Sequence, residues 1–229
     1  WYKSRDAGNS HALVDIVRGT NKVLYSDSSS SEQSISAQTF NSDGYDLVQD
    51  AGANSINSSG STKVAWNWKA GGTGVSNAEG DITSTVSANT TSGVSIIKFT
   101  GNSSTSQSFG HGLNGTPKIW FIKNISVGGD NWQVYIDGRR LKLDTTEAAE
   151  SNYLMSANST TITTPSSSGA GWGNYNGQDF MVYAFQNIQG FSKAGSYTGN
   201  GNADGTFIYT GFKVGWILIK DSGRAESWY

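Results

Sequence analysis

Cysteine is absent from the 229 residues, proline occurs twice, and charged side chains make up only 15%. Without cysteine there is no disulfide framework and no thiolate metal site, so packing and hydrogen bonds must carry stability alone. The net charge is −2. No basic patch is implied, so neither nucleic acid nor an anionic membrane is an expected partner. No run of about 18 apolar residues occurs, so membrane insertion as a helix is not expected. What the chain has instead is 29 glycines, 12% aromatics and an abundance of Ser, Thr and Asn. This composition suits many short strands joined by tight polar turns. The one weakly helical window is 145–154, where Glu147, Ala148, Ala149 and Glu150 cluster.

The run Ile119-Trp120-Phe121-Ile122, with Lys118 and Lys123 at its ends, reads as a strand buried on both faces. The phrase returns as Trp216-Ile217-Leu218-Ile219-Lys220 and, shortened, as Trp1-Tyr2-Lys3. Repeated phrases of this kind indicate repeated structural units. Other positions align with them. Phe99-Thr100-Gly101-Asn102 matches Tyr197-Thr198-Gly199-Asn200, Val14 matches Val134, and Val23 and Tyr25 match Leu141 and Leu143. Ala65-Trp66-Asn67-Trp68 matches Val182-Tyr183-Ala184-Phe185.

The expected fold is all-β, in tandem β-sandwich repeats of jelly-roll or concanavalin-like type, each of roughly 100 residues. Residues 1–70 would be a partial first repeat and 71–93 a linker or long hairpin. Residues 94–190 would be a complete second repeat, and 191–229 a partial third able to complete the first. The chain then reads as an excerpt of a longer repetitive protein. Within the first unit, 12–17 reads as a strand, 26–36 as a serine-rich loop, and 50–60 as another loop. Phe40 and Tyr45 flank an Asp43-Gly44 turn between two short strands.

The stretches 15–25, 40–45, 63–68 and 195–220 resemble a repeated domain of structural proteins of marine tailed bacteriophages. The resemblance covers nearly the whole chain. It implies a virion appendage with a looser receptor-binding role, beside concanavalin-like lectin domains. It names no catalytic residue.

Candidate chemistry is sparse. His11 and His111 occupy unmatched places and read as surface residues. Asp137 and Asp144 flank Arg139-Arg140, with Glu147 and Glu150 near by. Glycosidases need two carboxylates roughly 5 to 9.5 Å apart across a cleft, whereas these read as local ion pairs at a hairpin end. Asn200, Asn202 and Asp204 alternate like the first half of a calcium loop, yet Gly211 stands where a closing Glu belongs, and a plain turn fits better. Trp172, Asn174 and Tyr175 lie in a glycine-rich loop. A ring that stacks on a sugar face beside an amide that bonds its hydroxyls makes a glycan site. The competing reading has Trp172 folded back over the sandwich end. Asn-x-Ser/Thr sequons at Asn57, Asn89, Asn102, Asn114, Asn124 and Asn158 follow from composition alone.

These features point to a non-enzymatic virion protein without cofactor or bound metal. Its expected partners are other virion subunits or copies of itself, and a host surface glycan. A secreted or cell-surface carbohydrate-binding adhesin is the alternative. A polysaccharide depolymerase would need an acid pair in a cleft.

Overall fold

The computed structural model describes residues 1–35, 38–47, 56–165 and 173–229. Among these the chain is all-β, with antiparallel strand pairing throughout and no helix. The first seven strands are β1 (Tyr2–Ser4), β2 (Ala12–Leu13), β3 (Lys22–Tyr25), β4 (Gln33–Ser34), β5 (Gln38–Phe40), β6 (Tyr45–Leu47) and β7 (Lys63–Ala65). Five of them form a sheet in the order β4-β3-β2-β1-β7, and β5 and β6 pair separately around the Asp43-Gly44 turn.

The next strands are β8 (Val75–Asn77), β9 (Ser84–Asn89), β10 (Val94–Thr100), β11 (Ser108–Gly110), β12 (Ile119–Asn124) and β13 (Gln133–Ile136). They are followed by β14 (Arg139–Lys142), β15 (Ser156–Ala157), β16 (Thr161–Thr163) and β17 (Asp179–Phe185). Seven of them make the central sheet, β14-β13-β12-β17-β10-β9-β8, and β11-β16-β15 make a three-stranded one.

The central sheet is buried on both faces. Along β17, Phe180, Val182 and Ala184 enter one core with Phe99, Trp120, Ile122 and, from the three-stranded sheet, Phe109 and Ile162. Met181 and Tyr183, from the alternate positions, enter a second core with Leu24 of β3, Ile96 and Trp132. Period-2 alternation therefore yields continuous apolar runs, because both sets need cover. A third core, with Tyr2, Val23, Tyr25 and Ile56, lies on the far face of the N-terminal sheet and is joined by Tyr45 of β6. Each fully buried Val or Leu contributes about 1.5–3 kcal/mol. The layers are thus stacked and share a core, in place of separate sandwiches strung on a linker.

Of the two readings of 71–93, the hairpin fits and the linker does not: the stretch supplies β8 and β9, which pair antiparallel. Its sparse apolar residues suffice, because Ile82 and Val86 both enter the core under the three-stranded sheet. The window 145–154 is not helical. Its backbone bridges β14 at Glu150, and Glu147 and Glu150 pair with Lys142 and Arg140. The strand at 12–17 stops at Leu13. Asp15 turns the chain by accepting the Val17 and Arg18 amides at 3.0 and 2.9 Å. Gln33 and Ser34, read as loop, pair on β3, and residues 50–55 of the second expected loop lie outside the described residues.

The block β3-β2-β1-β7 has the same order as β14-β13-β12-β17. Tyr2 lies between Ala12 and Ala65, just as Ile122 lies between Gln133 and Val182. The hairpin loop is one residue longer in the second block, so Leu13, not Val14, corresponds to Val134, and Leu24, not Val23, to Leu141. Residues 190–229 carry no strand. They do close one hairpin: Ile219 and Tyr229 exchange both backbone bonds, at 2.8 and 2.9 Å, ten residues apart like Tyr2 and Ala12.

One hydrogen bond marks all three hairpins. Lys3 Nζ donates to Asn9 O at 3.0 Å, Lys123 Nζ to Asp130 O at 2.8 Å, and Lys220 Nζ to Glu226 O at 2.6 Å. In each hairpin the lysine clasps the loop that follows it.

Candidate functional site

The Lys123 clasp fixes the backbone of Asp130, which lines a surface recess. The Lys123 ammonium has three protons and three backbone acceptors: Asp130 O, Asn124 O at 3.0 Å and, from the N-terminal layer, Ser29 O at 3.2 Å. Burial lowers its pKa to about 8, against the opposing pull of Asp130 and Asp144. Asp130 is held in turn, its Oδ2 accepting from Asn124 Nδ2 at 2.7 Å, and the same Nδ2 donates to Gln178 Oε1 at 2.6 Å.

The recess is shallow and open to solvent, and it is lined by Ile122, Asn124, Asp130, Asn131, Gln133, Gly173, Tyr175 and Phe180. Tyr175 forms its aromatic wall, 37% exposed and stacked on Phe180 at 6.5 Å between centroids. Burial and then Asp130 raise its hydroxyl pKa, so the phenol stays neutral. Gln133 is 3% exposed, and its Oε1 has no hydrogen-bond partner among the described residues. A buried acceptor beside an exposed ring is suited to a ligand hydroxyl.

Two glycines set the loop that delivers Tyr175. Gly173 has φ +86°, and a Cβ there would meet Met155 Cε at 2.6 Å. Gly101 lies so close to the Tyr175 carbonyl that a side chain would collide with it.

The sequence candidates fare unequally. Tyr175 is at the recess. Trp172 lies outside the described residues. Asn174 is buried, and its amide is committed to the chain. Its Oδ1 accepts from the Asn102 amide at 2.9 Å, and its Nδ2 donates to Asn102 Oδ1 at 3.1 Å and Ser104 O at 2.6 Å. It clasps the 102–104 loop. Asn200, Asn202 and Asp204 stay in an exposed turn. Asn200 closes it, accepting from the Asn202 amide at 3.1 Å and donating to Asp204 O at 2.9 Å. Among the described residues no group of three His, Asp or Glu is placed to hold a metal.

Each acid of the 137–150 stretch is engaged. Asp137 pairs with Lys118, Glu150 with Arg140, and Glu147 with Lys142. Asp144 accepts from the Trp132 amide at 3.1 Å, and burial raises its pKa to about 6.

His111 is fully buried, not a surface residue. Its Nδ1 accepts from the Leu113 amide at 3.1 Å and its Nε2 lies 3.2 Å from Asn158 O, an arrangement for the neutral ring with the proton on Nε2. Burial lowers its pKa. His11 is half-buried, and burial lowers its pKa as well, against the pull of Asp27.

Sequence reasoning passed over Asn124, Asp130, Asn131 and Gln133, whose one signal is the Gly128-Gly129-Asp130 loop after a buried strand. It also passed over a buried polar knot between layers. There Arg18 Nε meets Asp15 Oδ2 at 2.6 Å, and Tyr183 of β17 donates to the same carboxylate at 2.7 Å. The knot is sealed from solvent and ties the N-terminal sheet to the central one.

A family model described as a domain of unknown function (DUF7483) matches residues 1–229, and the chain belongs to that family. No curated protein matches the chain. No solved structure matches it.

Proposed function

We propose that this DUF7483 domain is a non-enzymatic structural module of a virion appendage, such as a tail fibre, and that it holds a glycan weakly at the Tyr175 recess. The observation that carries the structural part is the lysine-clasped hairpin, formed three times. Such recurrence suits a protein that works by length and by repeated presentation of loops. The stretches 15–25, 40–45, 63–68 and 195–220 favour the virion setting. The glycan part rests on Tyr175, Asp130 and Gln133, which line one recess, and on Gln133 Oε1 being unpartnered among the described residues. A sugar would lay its apolar face on the ring and donate hydroxyl protons to Asp130 and Gln133.

Antibodies raised against the purified chain test the setting. Labelling of appendages on virions is the expected outcome, and labelling of bacterial surfaces in its place would favour the adhesin reading. For the recess, host-glycan binding by the chain should be lost in Tyr175→Ala and weakened in Gln133→Leu. Unchanged binding in both removes the glycan role and leaves the structural one. Release of reducing ends from a host polysaccharide by the purified chain would overturn the non-enzymatic reading.

A further inference from the structure

In the central sheet, β17 has a neighbour on each side, β12 and β10. Its counterpart β7 has only β1 and ends its sheet. The backbone directions are readable from the ladder. Trp1 and Trp66 exchange bonds at 2.9 and 3.0 Å, and the Arg5 amide donates to Thr62 O at 2.9 Å. Alternation then points the N–H and C=O of Lys63 and Ala65 away from β1, toward the open edge. An unpaired edge of this kind is a template for another strand.

The same molecule carries a segment that matches the missing neighbour. Phe99-Thr100-Gly101-Asn102 spans the end of β10, and Tyr197-Thr198-Gly199-Asn200 repeats it outside any ladder. Phe99 lies in the core, while Tyr197 is exposed. We propose that residues 192–198 of one copy add as an antiparallel strand to the β7 edge of a second copy, as β10 adds to β17.

The central ladder fixes the register. Phe99 faces Phe180, and Ile97 faces Val182. Val182 corresponds to Ala65 through the Tyr2 and Ile122 pairings, so Tyr197 should face Lys63 and Gly195 should face Ala65 of the second copy. The contact is heterologous, joining the tail of one copy to the N-terminal sheet of the next, so it propagates unless the rotation closes a ring.

The absence of native cysteine makes the register directly testable. Two full-length chains are prepared, one Lys63→Cys and one Tyr197→Cys, then mixed and oxidised mildly. Disulfides need Cα atoms roughly 4.4–6.8 Å apart, which facing residues on paired strands satisfy. The expected result is a mixed 63–197 dimer as the dominant linked species, absent when Thr206→Cys replaces Tyr197→Cys. The unmodified chain should show concentration-dependent mass by light scattering, and Ala65→Pro should lose it, because the ring removes the outward N–H. Three results would each overturn the proposal. They are a monomer at every concentration without mixed disulfide, an oligomer that forms without the 63–197 link, and closure of that link within one doubly substituted chain. The Tyr175 recess is not involved, so its glycan result stands or falls separately.

Discussion

Residues 94–124 and 192–221 carry the same phrases and meet opposite fates. Phe99 is 2% exposed, and its counterpart Tyr197 is 52% exposed. Phe109, two residues before His111-Gly112, is 0% exposed, and Ile208, two residues before Thr210-Gly211, is 44% exposed. Trp120 is 7% exposed, and Ile217 is 60% exposed. Gly112 and Gly211 both hold positive φ, at 68° and 83°, so even the turn is shared. The difference lies in what surrounds them. The central copy has β13, β14 and β17 beside it and the three-stranded sheet over it. The C-terminal copy has only a partial dock: Trp216 packs on Trp66 and Trp68 at 6.3 and 6.1 Å, and Trp228 Nε1 donates to Lys142 O at 2.8 Å. Apolar strand sequence specifies a surface that needs cover, and the cover comes from elsewhere.

The sharpest way to break this comparison is to truncate the paired core positions. Phe109→Ala should cost about 3–5 kcal/mol, the cavity cost of a fully buried phenylalanine. Ile208→Ala should stay within about 0.5 kcal/mol in dilute chain, as exposed substitutions do. Urea unfolding of the two variants measures both, and equal costs would mean that the tail is buried in solution.

The clasp lysines give a smaller contrast. Lys123→Met leaves three buried carbonyls without their donor and should cost about 2–3 kcal/mol, whereas Lys220→Met should cost about 0.5 kcal/mol or less. Comparison of the two unfolding midpoints checks this. A loss at Lys220 as large as that at Lys123 would give the C-terminal hairpin equal standing.

The smallest contrast is a pH effect. His111 stands in the central copy, and its C-terminal counterpart Thr210 does not titrate. The folded pKa of His111 lies below the ordinary value near 6.5, so the fold favours the neutral ring. Its contribution is intact above that pH and is lost progressively as pH falls below it. The stability difference between the unmodified chain and His111→Gln should therefore shrink from pH 7.5 to pH 5. A flat difference would show that the ring titrates alike in the folded and unfolded chain, and a growing one that the fold favours the charged ring.

The strands β12 and β17 were legible because continuous apolar runs require two covered faces, and the Asp43-Gly44 hairpin was legible from its turn. The recurrence of the lysine was also plain, although only the ladder reveals the extra residue in the Lys123 loop. The layering was not legible. Periodicity says that Met181 and Tyr183 need a partner face but not that Leu24, far away in sequence, provides it. Asp15 sits among apolar residues and reads as strand, yet its carboxylate does better turning the chain and holding Arg18 and Tyr183. The recess draws on residues 122–133 and 173–180, and a site assembled from separate loops leaves no contiguous motif. The bonds of Asn174 to Asn102 and Ser104 were not legible either, since an amide serves a neighbouring loop as readily as a sugar.

The exposed tail has a colloidal consequence. Thr206-Phe207-Ile208-Tyr209-Thr210 is a short uncharged window of high β-propensity without proline, the kind that stacks into cross-β fibrils when left unpaired. Asp204 and Lys213 bracket it as gatekeeping charges of opposite sign. Screening both with salt removes that guard while Phe207 and Tyr209 remain in water. Concentrated solutions of this chain at high salt are therefore where thioflavin-positive aggregates should first form, seeded at this window and not in the buried sheets.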